Sequence, residues 1–130
     1  MQADKHSIKP GDVFVLERTF SESDVRTFTT ISGDDGVHHV TPDTRGRLML
    51  QGLLTATLVT QFGGAIDFLA SEMTFRFHRP AFAGDTIRCD GRCESAEDEE
   101  GRRAYAFSFS LKNQVGKEVL SGTVRGVVLK

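Results

Sequence analysis

Between Leu48 and Phe62 the chain carries no charged residue, and its apolar side chains fall on nearly every side of a helical wheel: Leu48, Met49, Leu50, Leu53, Leu54, Ala56, Leu58, Val59 and Phe62. The spacing predicts a helix over 48–62, and a helix that is apolar all round must be buried. Gly52, Ala56 and the threonines keep parts of it slim, so a neighbour can pack closely. Gly63-Gly64 is the predicted stop.

The C-terminal half of the chain must supply the cover, and it reads as strands. Met73, Phe75 and Phe77 alternate with Thr74, Arg76 and His78, which predicts one face in and one face out. After Arg79-Pro80 and the Ala83-Gly84-Asp85 turn, a strand is expected over Thr86–Cys93. The charged stretch from Glu94 to Arg103 reads as a solvated hairpin tip. Tyr105, Phe107, Phe109 and Leu111 then alternate with small residues, Asn113 to Gly116 turns the chain, and Glu118 to Leu129 is the last strand. Ahead of the central helix, residues 13–20 read as a first strand. A short helix capped by Ser21 or Ser23 runs to about Ile31, with Val25, Phe28 and Ile31 as its apolar stripe. Asp24 stands three after Ser21, a spacing like that of a capping box. One strand, two helices and about four antiparallel strands make an α+β fold, with a sheet wrapped round one buried helix. At 130 residues the chain is expected to form a single domain, 1–130, with a core of its own.

Residues 32–39, Ser-Gly-Asp-Asp-Gly-Val-His-His, build no core. They set a carboxylate, Asp34, five positions before an imidazole, His39, in a Gly-broken loop between the helices. Such a pair can meet around one water, and an imidazole near neutrality can move its protons. Asp35 and His38 allow other registers and are read as flanking residues.

Other classes are disfavoured. A net charge of −2 lacks the basic footprint of a nucleic-acid binder. No apolar run is long enough to span a membrane, and residues 1–10 have no apolar core that would make a secretory signal, so a cytoplasmic protein is expected. Cys89 and Cys93 lie roughly 13 Å apart along one strand, too far for a disulfide, and read as reduced thiols. The four histidines are scattered and no dinucleotide fingerprint succeeds a strand, so no metal or redox cofactor is expected.

Three segments, in order, resemble the MaoC-like hot-dog proteins, which include the R-specific enoyl-CoA hydratases. They are Phe20–Phe28 with Ser32-Gly33-Asp34 after it, then Gln51–Thr57, then Phe77–Thr86, and together they extend the likeness over nearly the whole chain. The resemblance implies a hot-dog fold, a homodimer that could pair further, and an acyl-thioester site between subunits that takes an acyl-CoA or acyl-carrier-protein substrate. It implies that Asp34 and His39 are the catalytic pair. The hydratases carry Ser-Gly-Asp-x-Asn-Pro-x-His, and here Gly36 and Val37 replace Asn-Pro. Where the family usually has His before the helix glycine, this chain has Gln51. Thr57 corresponds to the family's supporting serine. Gly52, Gln51 and Thr57 are thus the expected oxyanion and substrate-binding residues.

The reaction implied is hydration of a trans-2-enoyl-CoA to the R-3-hydroxyacyl-CoA, or its reverse. A base takes a proton from water, an acid protonates the α-carbon, and N–H donors hold the enolate oxygen. Two alternatives stand beside it. An acyl-CoA thioesterase of the same fold would need a carboxylate in or beside the central helix, and 48–62 has none. A non-catalytic acyl-binding or partner subunit would account for the lost Asn-Pro and for Gln51.

Overall fold

In the computed structural model, residues 4–130 are described; residues 1–3, the start of the terminus read as lacking a signal, lie outside them. Strand β1 is Val13–Thr19 and helix α1 is Glu22–Ser32. The short helix α2 is Val37–Val40, α3 is Gly52–Thr55 and α4 is Thr57–Ala65. Strands β2 (Leu69–Phe77), β3 (Thr86–Glu99), β4 (Arg102–Lys112) and β5 (Glu118–Leu129) complete the chain. The five strands form one antiparallel sheet in the order β1-β3-β4-β5-β2. Among the described residues, no helix is long and apolar enough to cross a membrane.

Helix α1 begins and ends where its local chemistry demands. The Ser21 side chain accepts from the Asp24 N–H while the Asp24 carboxylate accepts from the Ser21 N–H, a complete capping box. At the other end Gly33 takes φ 74° and its N–H donates to the Thr29 carbonyl. That left-handed cap is inexpensive only for glycine. Of the expected stripe Val25 is buried and Phe28 partly so, but Ile31 is 79% exposed.

The central helix differs from the expectation over 48–62. Residues 48–51 are extended, because their backbone pairs with the segment before β3. The Leu50 N–H donates to the Ala81 carbonyl at 2.9 Å, and the Ala83 N–H to the Leu48 carbonyl at 2.8 Å. The helix begins at Gly52, bends at Ala56, and runs through Gly63-Gly64 to Ala65. It is also not covered all round, since Leu53 stands exposed. The face that does turn inward packs on the sheet. Phe62 is the centre of that contact, with ring centroids 4.8 Å from Phe14, 4.8 Å from Phe107 and 5.4 Å from Phe109. Tilted and edge-on pairs of this kind add about 0.5–1.5 kcal/mol each beyond the area they bury.

Two further corrections concern the strands. β3 and β4 run on through the charged stretch to a tight turn at Glu100-Gly101. The tip is held by ion pairs, Arg102 with Glu99 and both Arg103 and Lys130 with Asp98. On β2 the expected inner row does share the core side of the sheet with Val124, Gly122 and Leu120 of β5, but it is poorly covered: Met73 and Phe77 are open, with Phe75 half-buried. β2 is an edge strand bonded only to β5, and nothing among the described residues covers its free side.

Candidate active site

The cap at Gly33 turns the chain out of α1 into the loop that carries Asp34. Ser32 Oγ accepts from the Asp34 N–H at 3.0 Å, and Asp34 Oδ1 accepts from the Gly36 N–H at 3.3 Å. Helix α2 then swings His39 back toward the loop. Nε2 of His39 lies 3.6 Å from Oδ2 of Asp34; the imidazole is 7% exposed and the carboxylate 50%. The other ring nitrogen is 2.8 Å from the Met49 carbonyl oxygen. A carbonyl can only accept, so Nδ1 carries hydrogen there, and the neutral ring presents a bare Nε2 lone pair to Asp34. Two acceptors then face each other at a distance that a single water, donating to both, would bridge. His38 is exposed, its ring packed edge-on against His39 at 4.1 Å.

The pair opens on a cavity of about 730 Å³ between α1, the start of α3, and the segment 77–81, with Val119 and Leu120 from β5. Phe28, Leu50, Leu53, Phe77 and Leu120 make it mainly apolar, and Asp34 and His39 stand at its polar side. It is a site shaped for a ligand with an apolar body and one reactive polar group. Gly52 lines it at the first turn of α3, where no preceding turn supplies an acceptor for its N–H. A Cβ at 52 would come within 2.5 Å of the Phe77 ring, so a larger residue there would have to displace that ring from the cavity wall.

Gln51 and Thr57 are placed differently from the expectation. Gln51 borders the cavity, but its amide nitrogen is spent on the protein. Nε2 donates to Thr29 Oγ1 at 2.8 Å and makes longer contacts of 3.4 Å with the Val25 and Asp34 carbonyls. The Thr57 hydroxyl donates to the Leu54 carbonyl one turn back, and the residue is not in the cavity wall; Thr55 is. A hydroxyl two positions away on a helix faces another side, and the bend at Ala56 decides which one reaches the cavity.

Parts of the wall have no counterpart in the sequence expectations. His78, expected on the outside, borders the cavity with Nε2 2.7 Å from Ser121 Oγ and 3.3 Å from Glu118 Oε1. Beside it Arg79 donates to the Glu118 carbonyl at 3.0 Å. Alternation within β2 places His78 opposite its neighbours, but the strand ends at Phe77 and the rule stops there. The Met49 carbonyl, which orients His39, has no side-chain signal at all. Arg47 lies over the Phe82 ring at 3.9 Å and pairs with Asp43 at 2.9 Å, so its charge is engaged locally.

Comparison with known proteins places this architecture. Residues 53–99 match the thioesterase superfamily. Together with the five-stranded sheet packed on α4, this makes the chain a hot-dog-fold protein. Its structural neighbours are R-hydratases and MaoC-like dehydratases. The (R)-hydratase from A. caviae involved in PHA biosynthesis superposes with a TM-score of 0.83 at 20% identity, over 95% of this chain and 98% of that one. A monoamine oxidase regulatory protein from Archaeoglobus fulgidus gives 0.80 at 25% identity, over 95% and 92%. A 3R-hydroxyacyl-ACP dehydratase complex from Mycobacterium tuberculosis gives 0.77 at 15%, over 94% and 98%. No curated protein matches by sequence.

Proposed function

We propose that this chain is a hydratase/dehydratase that interconverts a trans-2-enoyl thioester and the R-3-hydroxyacyl thioester. The observation that carries the reading is the polarity of the Asp34–His39 gap. With Nδ1 committed to Met49, Nε2 and the Asp34 carboxylate converge as two acceptors beside an apolar cavity. A water held there donates one hydrogen to each, which aims its oxygen lone pair away from both and into the cavity. When the enoyl chain lies in the cavity, that oxygen attacks the β-carbon as the pair takes its proton. The electrons move to the thioester oxygen, and the pair returns a proton to the α-carbon. Hydroxyl and hydrogen are thereby added across the double bond, and the reverse sequence expels water. The Gly52 N–H is the proposed donor to the enolate oxygen, a role in which one preorganised bond can contribute about 3 kcal/mol. Water is added with no net oxidation or reduction, so the proposed reaction needs no redox cofactor, and none of its steps as written calls on a metal. The R configuration and the acyl-carrier-protein thioester are carried over from the chemistry named for the structural neighbours, and the acyl-CoA alternative from the family resemblance of the sequence.

We propose further that two copies pair through β2, where Met73 and Phe77 stand exposed on one face of an unpaired edge. A cytoplasmic setting would keep Cys89 and Cys93 reduced.

A thioesterase is the weaker reading despite the match at 53–99, since residues 52–65 contain no carboxylate to activate water on the carbonyl. A non-catalytic acyl-binding subunit is favoured by one observation, the half-exposed Asp34 in a loop without the hydratases' proline. Loss of the conjugated enoyl-thioester absorbance with crotonyl-CoA tests the proposal. Native protein should turn over, and Asp34→Asn and His39→Ala should each reduce kcat by about 100-fold or more. No turnover with crotonyl-CoA or a longer enoyl-CoA would favour the binding subunit, and turnover surviving both changes would remove this pair from the mechanism.

A further inference from the structure

We infer that Gln51 is a positioning residue that sets the Asp34–His39 gap, an inference that rests on the hydratase reading of the same site. The extended segment 49–51 touches both members of the pair. At one end the Met49 N–H donates to the His38 carbonyl at 3.1 Å, and the Met49 carbonyl accepts from His39 Nδ1–H at 2.8 Å. At the other end Gln51 Nε2 donates to Thr29 Oγ1 at 2.8 Å, on the last turns of the helix that leads into the site loop, and reaches the Asp34 carbonyl at 3.4 Å. The segment between them is itself fixed by the Leu50–Ala81 and Leu48–Ala83 bonds. The imidazole, and the backbone that carries the carboxylate, are therefore measured from one three-residue ruler.

The intervening residues cannot do this alone. Gly36 and Val37 impose no ring constraint on φ, and within the loop Asp34 is held only by the short-range Ser32 and Gly36 contacts. The Gln51 side chain has the further mark of a residue held for its donors. It is 1% exposed, and its Oε1 is buried with no hydrogen-bond partner among the described residues. Methionine would fill the same space without an orphaned acceptor, so packing alone does not account for the amide.

The test compares native protein with Gln51→Met, Thr29→Val, Thr29→Ser and Asp34→Asn by crotonyl-CoA kinetics and by NMR titration of the His39 ring. The titratable or charged groups near that ring are Asp34 in the loop, His38 beside it on α2, and His78 and Arg79 across the cavity. Gln51→Met is expected to lower kcat about tenfold or more with KM within about threefold, and to move the His39 midpoint toward its value in Asp34→Asn. Thr29→Val should behave like Gln51→Met, and Thr29→Ser should recover the loss. Native turnover with kcat and midpoint unchanged in Gln51→Met would overturn the inference. If the native chain shows no turnover but Gln51→Met still moves the midpoint, the positioning role stands and the hydratase reading falls. An inactive native chain with an unmoved midpoint would remove both.

Discussion

His39 and Cys89 show how the same burial does opposite things to two side chains. His39 is enclosed but keeps one nitrogen satisfied by Met49 and the other open to Asp34, so its chemistry stays available. Cys89 is enclosed in β3, and burial, helped by the Asp90 charge, pushes its thiol up to about 12. A thiolate is the reactive form, so Cys89 should resist alkylation at pH 8 in the native protein and react fully once denaturant unfolds it. The same shift bears on alkaline stability. The folded-state value lies above the ordinary 9.0, so the native state holds its proton more tightly than the unfolded chain. That contribution is fully present below about pH 9 and is lost as pH rises toward 12. Thermal melts of native and Cys89→Ala protein across that window should diverge, with the native protein losing the more stability.

At the scale of elements, both ends of α1 are legible in the sequence, with the cap left between Ser21 and Ser23, and the start of the central helix is not; the difference is physical. Ser21, Asp24 and Gly33 act on their own backbone, so their effect can be read locally. Ser21→Ala removes one half of the capping box and should lower stability by about 1 kcal/mol, seen as a drop in the melting midpoint with the fold retained. Leu48, Met49 and Leu50 have helical spacing, but the segment they belong to pairs with Ala81 and Ala83, far along the chain, which no local pattern announces. The site divides in the same way. The spacing of Asp34 and His39 is local and reads as a pair, and the structure sets them 3.6 Å apart. Thr55, Thr29 and the Met49 carbonyl depend on where α3 begins and bends, so the sequence points to Thr57 where the cavity wall has Thr55.

The whole molecule leaves one side unfinished. An edge strand with an open apolar row is a template for a second chain, and proteins normally blunt such edges with charge or a cover. β2 has Glu72 and Arg76 on it but also Leu69, Met73 at 46% exposure and Phe77. Both the alternation in β2 and the direction of its apolar face are legible, since Met73, Phe75 and Phe77 share a face with Val124, Gly122 and Leu120 of β5. What the sequence does not announce is that Met73 and Phe77 stay uncovered at the edge. Met73→Glu should convert the proposed dimer to monomer in sedimentation experiments; a monomeric native protein would contradict the pairing. Because Phe77 both lies over Gly52 and belongs to this edge, the cavity and the proposed interface share a wall.

The most direct measurement tracks the oxygen. Crotonyl-CoA incubated with the native protein in water enriched in the heavy oxygen isotope, and analysed by mass spectrometry, reports where the water went. The account predicts intact 3-hydroxybutyryl-CoA of R configuration with the label on C3, and none formed by Asp34→Asn. Label in the carboxylate of free crotonate would instead show attack on the thioester carbonyl and would contradict the assignment of the Asp34–His39 water to the double bond.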